Sequence, residues 1–237
     1  MFSIAHIYFA TKVSKRKSDL LVLGSILPDM AWTSKKTIDP LKIHGSIEEL
    51  TEYLKKNKPD LLDLGEGIKL HLSLDYYAHE YKGGYAIANA GEINDAVTKL
   101  LGVEKGQESL MMAHNFIEGA VDLYLKDKTP ETLELYQEVY DNIQTGQLLQ
   151  FLSDYLGISV EDAEKEFNFF NSFINPSNLK TEKTYIENVF IPIIHIKFHK
   201  KPDFANTLKV FQRAREITKP TYERMLDEAI RLTINKS

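Results

Sequence analysis

Apolar residues recur along most of this chain at intervals of three and four, the spacing of helices that bury one face. The pattern predicts helices at about 2–14, 17–26, 46–57, 59–82, 92–101, 105–127, 130–143, 146–156, 159–174, 182–199, 203–216 and 219–234. Some boundaries carry their own punctuation. Ser46 before "IEEL" forms a capping box with Glu49. Pro59 suits the first turn of a helix that Gly83-Gly84 stops. Thr129-Pro130 and Lys219-Pro220 open two more. No segment alternates with period two for long. The best strand candidate, "YIENVFIPIIHI", fits a buried helix broken near Pro192. Residues 27–45, "LPDMAWTSKKTIDPLKIHG", form a long irregular segment, and such loops in small domains are usually functional. There are no repeats and no low-complexity tracts.

The expected fold class is therefore all-α, a single multi-helix domain. Its 237 residues suit one large domain, and 43% apolar residues supply the core that disorder would lack. Asp and Glu number 34 against 29 Lys and Arg, so a general nucleic-acid coat is disfavoured and no stable nucleic-acid complex is expected. There is no cysteine, which excludes disulfides and thiolate metal sites; any zinc must be held by His, Asp, Glu or backbone. The start, "MFSIAHIYFATKVSKRK", lacks the basic leader of a secretory signal, and His6 interrupts its apolar run. No window reaches the length of a membrane span, so the expected location is the cytoplasm.

Five of the seven histidines lie in the first 114 residues: His6, His44, His71, His79 and His114. A lone histidine on an amphipathic helix is more often a hydrogen-bonded boundary residue than a ligand. The stretch "HLSLDYYAHE" changes that balance. His71, Asp75 and His79 stand four apart, so they span only about 80° of a helical wheel. The bland reading is a solvated face with i,i+4 pairing. Yet the flanking residues are Leu70, Leu72, Leu74, Tyr76 and Tyr77, with little Lys or Glu. A second helix repeats the device in "HNFIE", which places Glu118 four residues after His114 and Asp122 one turn further. Two packed helices with such stripes are a standard way to build a metal cluster between core helices. His195 and His199 form another His-x-x-x-His pair, but without a carboxylate and beside Lys197, Lys200 and Lys201 it reads as a boundary face at a helix end.

The order His6, Asp29 in "LGSILPD", His44, His71-x-x-x-Asp75, His79, His114-x-x-x-Glu118 resembles the zinc-dependent phospholipase C family. That family shares its fold and trinuclear zinc site with the fungal single-strand-specific nucleases. "AHIYFA", "LGSILPD" and "LHLSLDYYAH" carry the resemblance, which covers about residues 1–120; residues 128–237 would be additional C-terminal helices. The resemblance implies a first metal on Asp29, His44, His71 and Asp75, and a second on His79, His114 and Glu118. It implies a third on Asp75, His6 and the backbone of the N-terminal residue, here Met1. Relatives of that family are secreted and present a tryptophan at that terminus, and the His71-to-His79 spacing is tight for the pattern. An oxygen and imidazole donor set suits zinc, two or three ions, with manganese or iron as rivals.

The expected activity is metal-dependent hydrolysis of phosphoric esters, with a phosphorylated small molecule or a lipid headgroup as substrate. Asp29 would orient or deprotonate the attacking water. Tyr76, Tyr77 and Trp32 are candidate substrate-lining residues, with Tyr81 and Tyr85 near them; each reads equally well as a core aromatic. A rival reading is a non-enzymatic helical binding protein that keeps a structural metal cluster. A third, an HD-type phosphohydrolase, needs a His-Asp dipeptide, and none occurs.

Overall fold

Helices form almost everywhere the apolar periodicity asks for them. The structure, a computed structural model, describes residues 3–33, 38–45, 47–143 and 145–235, which contain helices and turns and no strand. In chain order the helices are α1 (Ser3–Ser14), α2 (Asp19–Gly24), α3 (Met30–Thr33), α4 (Pro40–His44), α5 (Ile47–Asn57), α6 (Leu62–His79), α7 (Tyr85–Leu101) and α8 (Gln107–Lys128). Then come α9 (Pro130–Asn142), α10 (Thr145–Leu156), α11 (Val160–Ile174), α12 (Glu182–Tyr185), α13 (Ile191–Phe198), α14 (Phe204–Thr218) and α15 (Tyr222–Ile234). The chain is one all-helical domain, and no described helix is long and apolar enough to cross a membrane.

Where boundaries differ from expectation, the cause is local. Helix α7 begins at Tyr85, directly after Gly84, whose φ of 69° lets the chain reverse out of α6 and restart at once. The segment 27–45 is not wholly irregular: Leu27–Asp29 makes a 3₁₀ turn with Pro28 inside it, and α3 and α4 follow. Ser46, the expected cap of α5, lies outside the described residues. The break expected near Pro192 takes the form of a π-helical stretch, Ile186–Phe190, running straight into α13. Proline lacks an N–H and crowds the carbonyl four residues back; widening the preceding turn relieves both problems without ending the helix.

Helices α6 and α8 are the buried centre. Leu64, Ile68, Leu70, Leu74, Tyr77 and Ala78 of α6 and Met112, Phe116, Ile117, Val121 and Leu125 of α8 are all buried. The two do not pack closely on each other. Helix α1 packs against both, and so does α7, leaving a space between α6 and α8 that side chains must span. The C-terminal helices close the core from outside: α14 against α7 and α8, α15 against α1 and α6, and α9 against α1 and α8.

Helices α2 and α6 cross with their backbones close together. A Cβ at Gly24 would overlap the Leu64 carbonyl, and one at Gly67 would overlap the Leu21 carbonyl. Backbones can approach this closely only where both helices lack side chains. Ser18 helps pin the pair: its hydroxyl accepts from Leu21 N–H as the cap of α2 and donates to Asp63 in the first turn of α6 at 2.6 Å. Gly67→Ala is therefore expected to destabilise the fold by about 2–4 kcal/mol, the scale of overpacking against rigid backbone. Chemical denaturation measures this, and a loss below about 0.5 kcal/mol would show that the crossing is not rigid.

Candidate metal centre

Helix α6 carries His71, Asp75 and His79 along one stripe, because residues four apart lie one above the other. Tertiary packing brings ligands from four other elements to that stripe: His6 from α1, Asp29 from the 3₁₀ turn, His44 from the end of α4, and His114 with Glu118 from α8. Three groups of converging ligand atoms result, each within 4.8 Å: His6, Asp29 and His71; His44, His71 and Asp75; His79, His114 and Glu118.

Around Asp75 the geometry is tight. Its carboxylate lies 3.1 Å from His71 Nε2, 3.4 Å from His6 Nε2 and 3.8 Å from His44 Nε2. The His6 and His71 rings stack with centroids 3.8 Å apart, and His44 meets His71 edge-on at 5.5 Å. His71 Nδ1 donates to the Ser25 carbonyl at 2.8 Å, just past the α2–α6 crossing. That bond holds the ring and leaves Nε2 facing Asp75. Nε2 is fully buried and, despite its closeness to Asp75, has no hydrogen bond of good angle.

The second group is closer still. Glu118 Oε1 lies 2.7 Å from His114 Nε2 and 3.0 Å from His79 Nε2, and the two imidazole nitrogens are 2.8 Å apart. His114 Nδ1 donates to Asn115 Oδ1 at 3.1 Å, so its Nε2 offers a lone pair to the shared point. Glu118 is 2% exposed and His79 31%, so this group has a closed floor and an open side. His44 and Asp75 are partly exposed on the first group, whose floor is the buried pair His6 and His71.

The protonation states prepare these groups for a cation. Burial lowers the pKa of His6 and of His44, with the charge on His71 pushing the same way, so both rings are held neutral. Burial works against charge on His71 too, but Asp75, together with Asp29 and the Ser25 bond, overrides it and lifts the ring to about 9. For Asp75, burial is overcome by His71 and His6, which hold its carboxyl well below the usual range. Glu118 follows the same logic with His114 and His79, and the His79 ring is raised in turn by Glu118 against its burial. Ionised carboxylates and neutral imidazoles are the forms that bind metal; the proton on His71 is what a metal ion would displace. The residues thus fit a divalent cation in donor chemistry and in the direction of their lone pairs.

The structure brings together His6, Asp29, His44, His71, Asp75, His79, His114 and Glu118, but in a different grouping from the expected one. Asp29 converges with His6 and His71, not in one group of four with His44 and Asp75. Met1, the expected ligand of a third ion, lies outside the described residues. Tyr76 is 43% exposed and stands edge-on to Tyr77, which is buried. Tyr81 and Tyr85 reach toward the last two helices: Tyr81 donates to Glu228 of α15 at 3.4 Å, and Tyr85 donates to the Thr218 carbonyl at the end of α14 at 3.3 Å. Trp32 lies in α3, and its side chain falls outside the described residues.

Three contributors were not anticipated. The Ser25 carbonyl has no side-chain signature, so no pattern could reveal it. Asn115 stands next to His114, but its role needs the ring orientation. Asp122 was noted only as a polar residue one turn beyond Glu118; its Oδ1 accepts from Ala5 N–H at 2.9 Å, capping α1 from α8 one residue before His6. Burial raises the Asp122 carboxyl well above the usual range, against the Ala5 bond.

Comparison of the chain with protein-family models, with curated proteins and with solved structures found no match.

Proposed function

We propose that this protein is a metal-dependent hydrolase of phosphoric esters, a phosphodiesterase of phospholipase C- or nuclease-like type, using two or three divalent ions, zinc first. The observation that carries the reading is the convergence of five histidines and three carboxylates from separate elements into adjoining groups with a buried floor and an open side. A purely structural cluster gains nothing from such an opening, whereas catalysis needs a free position.

When bound, divalent ions there supply Lewis-acid charge to a phosphoryl oxygen and lower the pKa of a water molecule. The chain's own residues do the rest. His114, oriented by Asn115, would offer its Nε2 lone pair to an ion, and His71, oriented by Ser25, would do so on giving up its Nε2 proton. Asp75 and Glu118, kept ionised, balance the charge of the ions without Lys or Arg. Asp29, partly exposed in its turn, would hold the attacking water and take its proton. Tyr76, 43% exposed and next to Asp75 on α6, is the candidate for lining the approach. The net charge of −5 favours a small phosphorylated molecule or a lipid headgroup over long nucleic acid.

Elemental analysis of untagged protein, combined with hydrolysis of bis(4-nitrophenyl) phosphate, tests the reading. Two to three transition-metal ions per chain and a chelator-sensitive rate are expected. Less than half an equivalent of metal after reconstitution sinks the cluster; full metal without hydrolysis of any phosphoric ester favours the metal-stabilised binding protein instead.

A further inference from the structure

The metal centre makes no use of the stretch "HIKFHKK", residues 195–201. Its first part is the end of α13. Ile193 and Ile194 of that helix are buried, so helical spacing gathers Pro192, His195, Ile196 and His199 on the opposite face. That face is open: Ile196 is 43% exposed, His195 and His199 are exposed, and Pro192 is half-buried. His199 ends the helix with a φ of 53°, and the exposed Lys200 and Lys201 follow it directly.

Charge sets this end apart from the rest of the surface. From Asn188 to Pro202 the chain holds Lys197, Lys200 and Lys201 and no Asp or Glu. The stretch carries +3 with its histidines neutral, so the net charge of −5 leaves −8 for the remainder. Lysines elsewhere are answered by acids: Lys55 by Glu52, Lys105 by Asp95 and Lys165 by Glu161. Among the described residues none of Lys197, Lys200 and Lys201 makes an ion pair or a hydrogen bond. The nearest acids along the chain are Glu187 and Asp203, and the Asp203 carboxylate is engaged by Asn206 at the start of α14. An exposed isoleucine among unpaired cations adds little to folding. The same combination holds a protein on an anionic bilayer, where headgroups attract the ammonium groups and the apolar side chain enters below them. Nucleic acid fits less well, because the stretch has no arginine and the chain is acidic overall.

We propose that the end of α13 and the turn after it form a docking surface for anionic phospholipid bilayers, held by Lys197, Lys200 and Lys201 and by insertion of Ile196. The contact is peripheral, since no described helix is long and apolar enough to cross a membrane. The surface stands independently of the hydrolase reading. Where both hold, the substrate is a membrane phospholipid headgroup, and the C-terminal half brings the chain to it.

The test is sedimentation of the zinc-loaded full chain with vesicles of phosphatidylcholine alone, or with about one third phosphatidylserine, at about 0.15 M salt. Wild type should bind the anionic vesicles and not the neutral ones. A lysine close to an anionic surface strengthens binding about fivefold, so the triple variant Lys197→Gln, Lys200→Gln, Lys201→Gln is expected to bind about 100-fold more weakly. The control triple Lys55→Gln, Lys105→Gln, Lys165→Gln removes the same charge from acid-paired sites and should lose no more than about threefold. Ile196→Asp should cost at least about tenfold. All the substituted positions are exposed, so folding is preserved, and hydrolysis of soluble bis(4-nitrophenyl) phosphate should be unchanged in every variant. No binding of wild type to anionic vesicles, or equal loss in both lysine triples, overturns the proposal. Binding that survives Ile196→Asp and is matched by heparin marks a general polyanion site and overturns the bilayer assignment. Lysine- and Ile196-dependent docking without hydrolysis of any phosphoric ester supports the surface and removes the catalytic reading alone.

Discussion

Glu118→Gln is expected to remove about one metal ion per chain and to slow phosphodiester hydrolysis by at least about 10³-fold, equivalent to roughly 4 kcal/mol of transition-state stabilisation. Glu118 is the one carboxylate of its group, 2.7 Å from His114 Nε2 and 3.0 Å from His79 Nε2. An amide keeps the volume but loses the charge, and its oxygen is a weaker ligand. Without that charge the two imidazole nitrogens, 2.8 Å apart, can share a proton but have far less to hold a dication. His79→Ala should act on the same ion and leave α6 intact, since alanine suits a helix. Titration of metal content alongside the rate distinguishes loss of the ion from loss of the fold. Either variant retaining wild-type rate would remove this group from the chemistry.

Chelation should lower the melting temperature by roughly 10 °C or more. An ion present at about 1,000 times its Kd stabilises the folded state by about 4 kcal/mol per site, and a chain of this size shifts about 2–4 °C per kcal/mol. The physical source is the cluster itself: Asp29, Asp75 and Glu118 lie in neighbouring groups, with buried rings as their counter-charges. The pH dependence has a defined sign. In metal-free protein the His71 ring has a folded value of about 9, above its ordinary 6.5, so its contribution is complete below pH 6.5 and lost as pH rises through 9. Asp75 and Glu118 are depressed, so their contributions are present above their ordinary values and lost as pH falls toward the lowered ones. His6 and His44, held neutral by burial, favour the unfolded chain once pH drops below about 6.5. Metal-free protein should therefore be most stable near pH 6.5 and should lose stability as pH rises from there toward 9. Because metal must displace the His71 proton, the gain from metal should widen as pH rises from 6 toward 9. Scanning calorimetry with and without chelator across that range measures both effects. A melting temperature indifferent to rigorous chelation would mean that no ion occupies the cluster.

Local physics made much of the molecule legible in the sequence. Apolar spacing of three and four marks amphipathic helices whatever their neighbours are, so the all-helical class and most boundaries follow from it. The pairs His71–Asp75 and His114–Glu118 were readable for the same reason, since a four-residue interval places two side chains on one helix face by local geometry alone. The absence of cysteine narrowed the donor set before any fold was known.

What no local rule could supply is which stripe meets which. The α2–α6 crossing at Gly24 and Gly67 decides where the Ser25 carbonyl falls, and so which nitrogen of His71 faces Asp75. The intervening α1 and α7 decide that α6 and α8 are bridged by His79, His114 and Glu118 and do not pack directly. The 3₁₀ turn at Leu27–Asp29 carries Asp29 to His6 and His71, a grouping that chain order did not suggest. Side-chain periodicity is set within a few residues, but relative helix placement depends on how whole surfaces interlock, and a metal site between elements is a property of that interlocking.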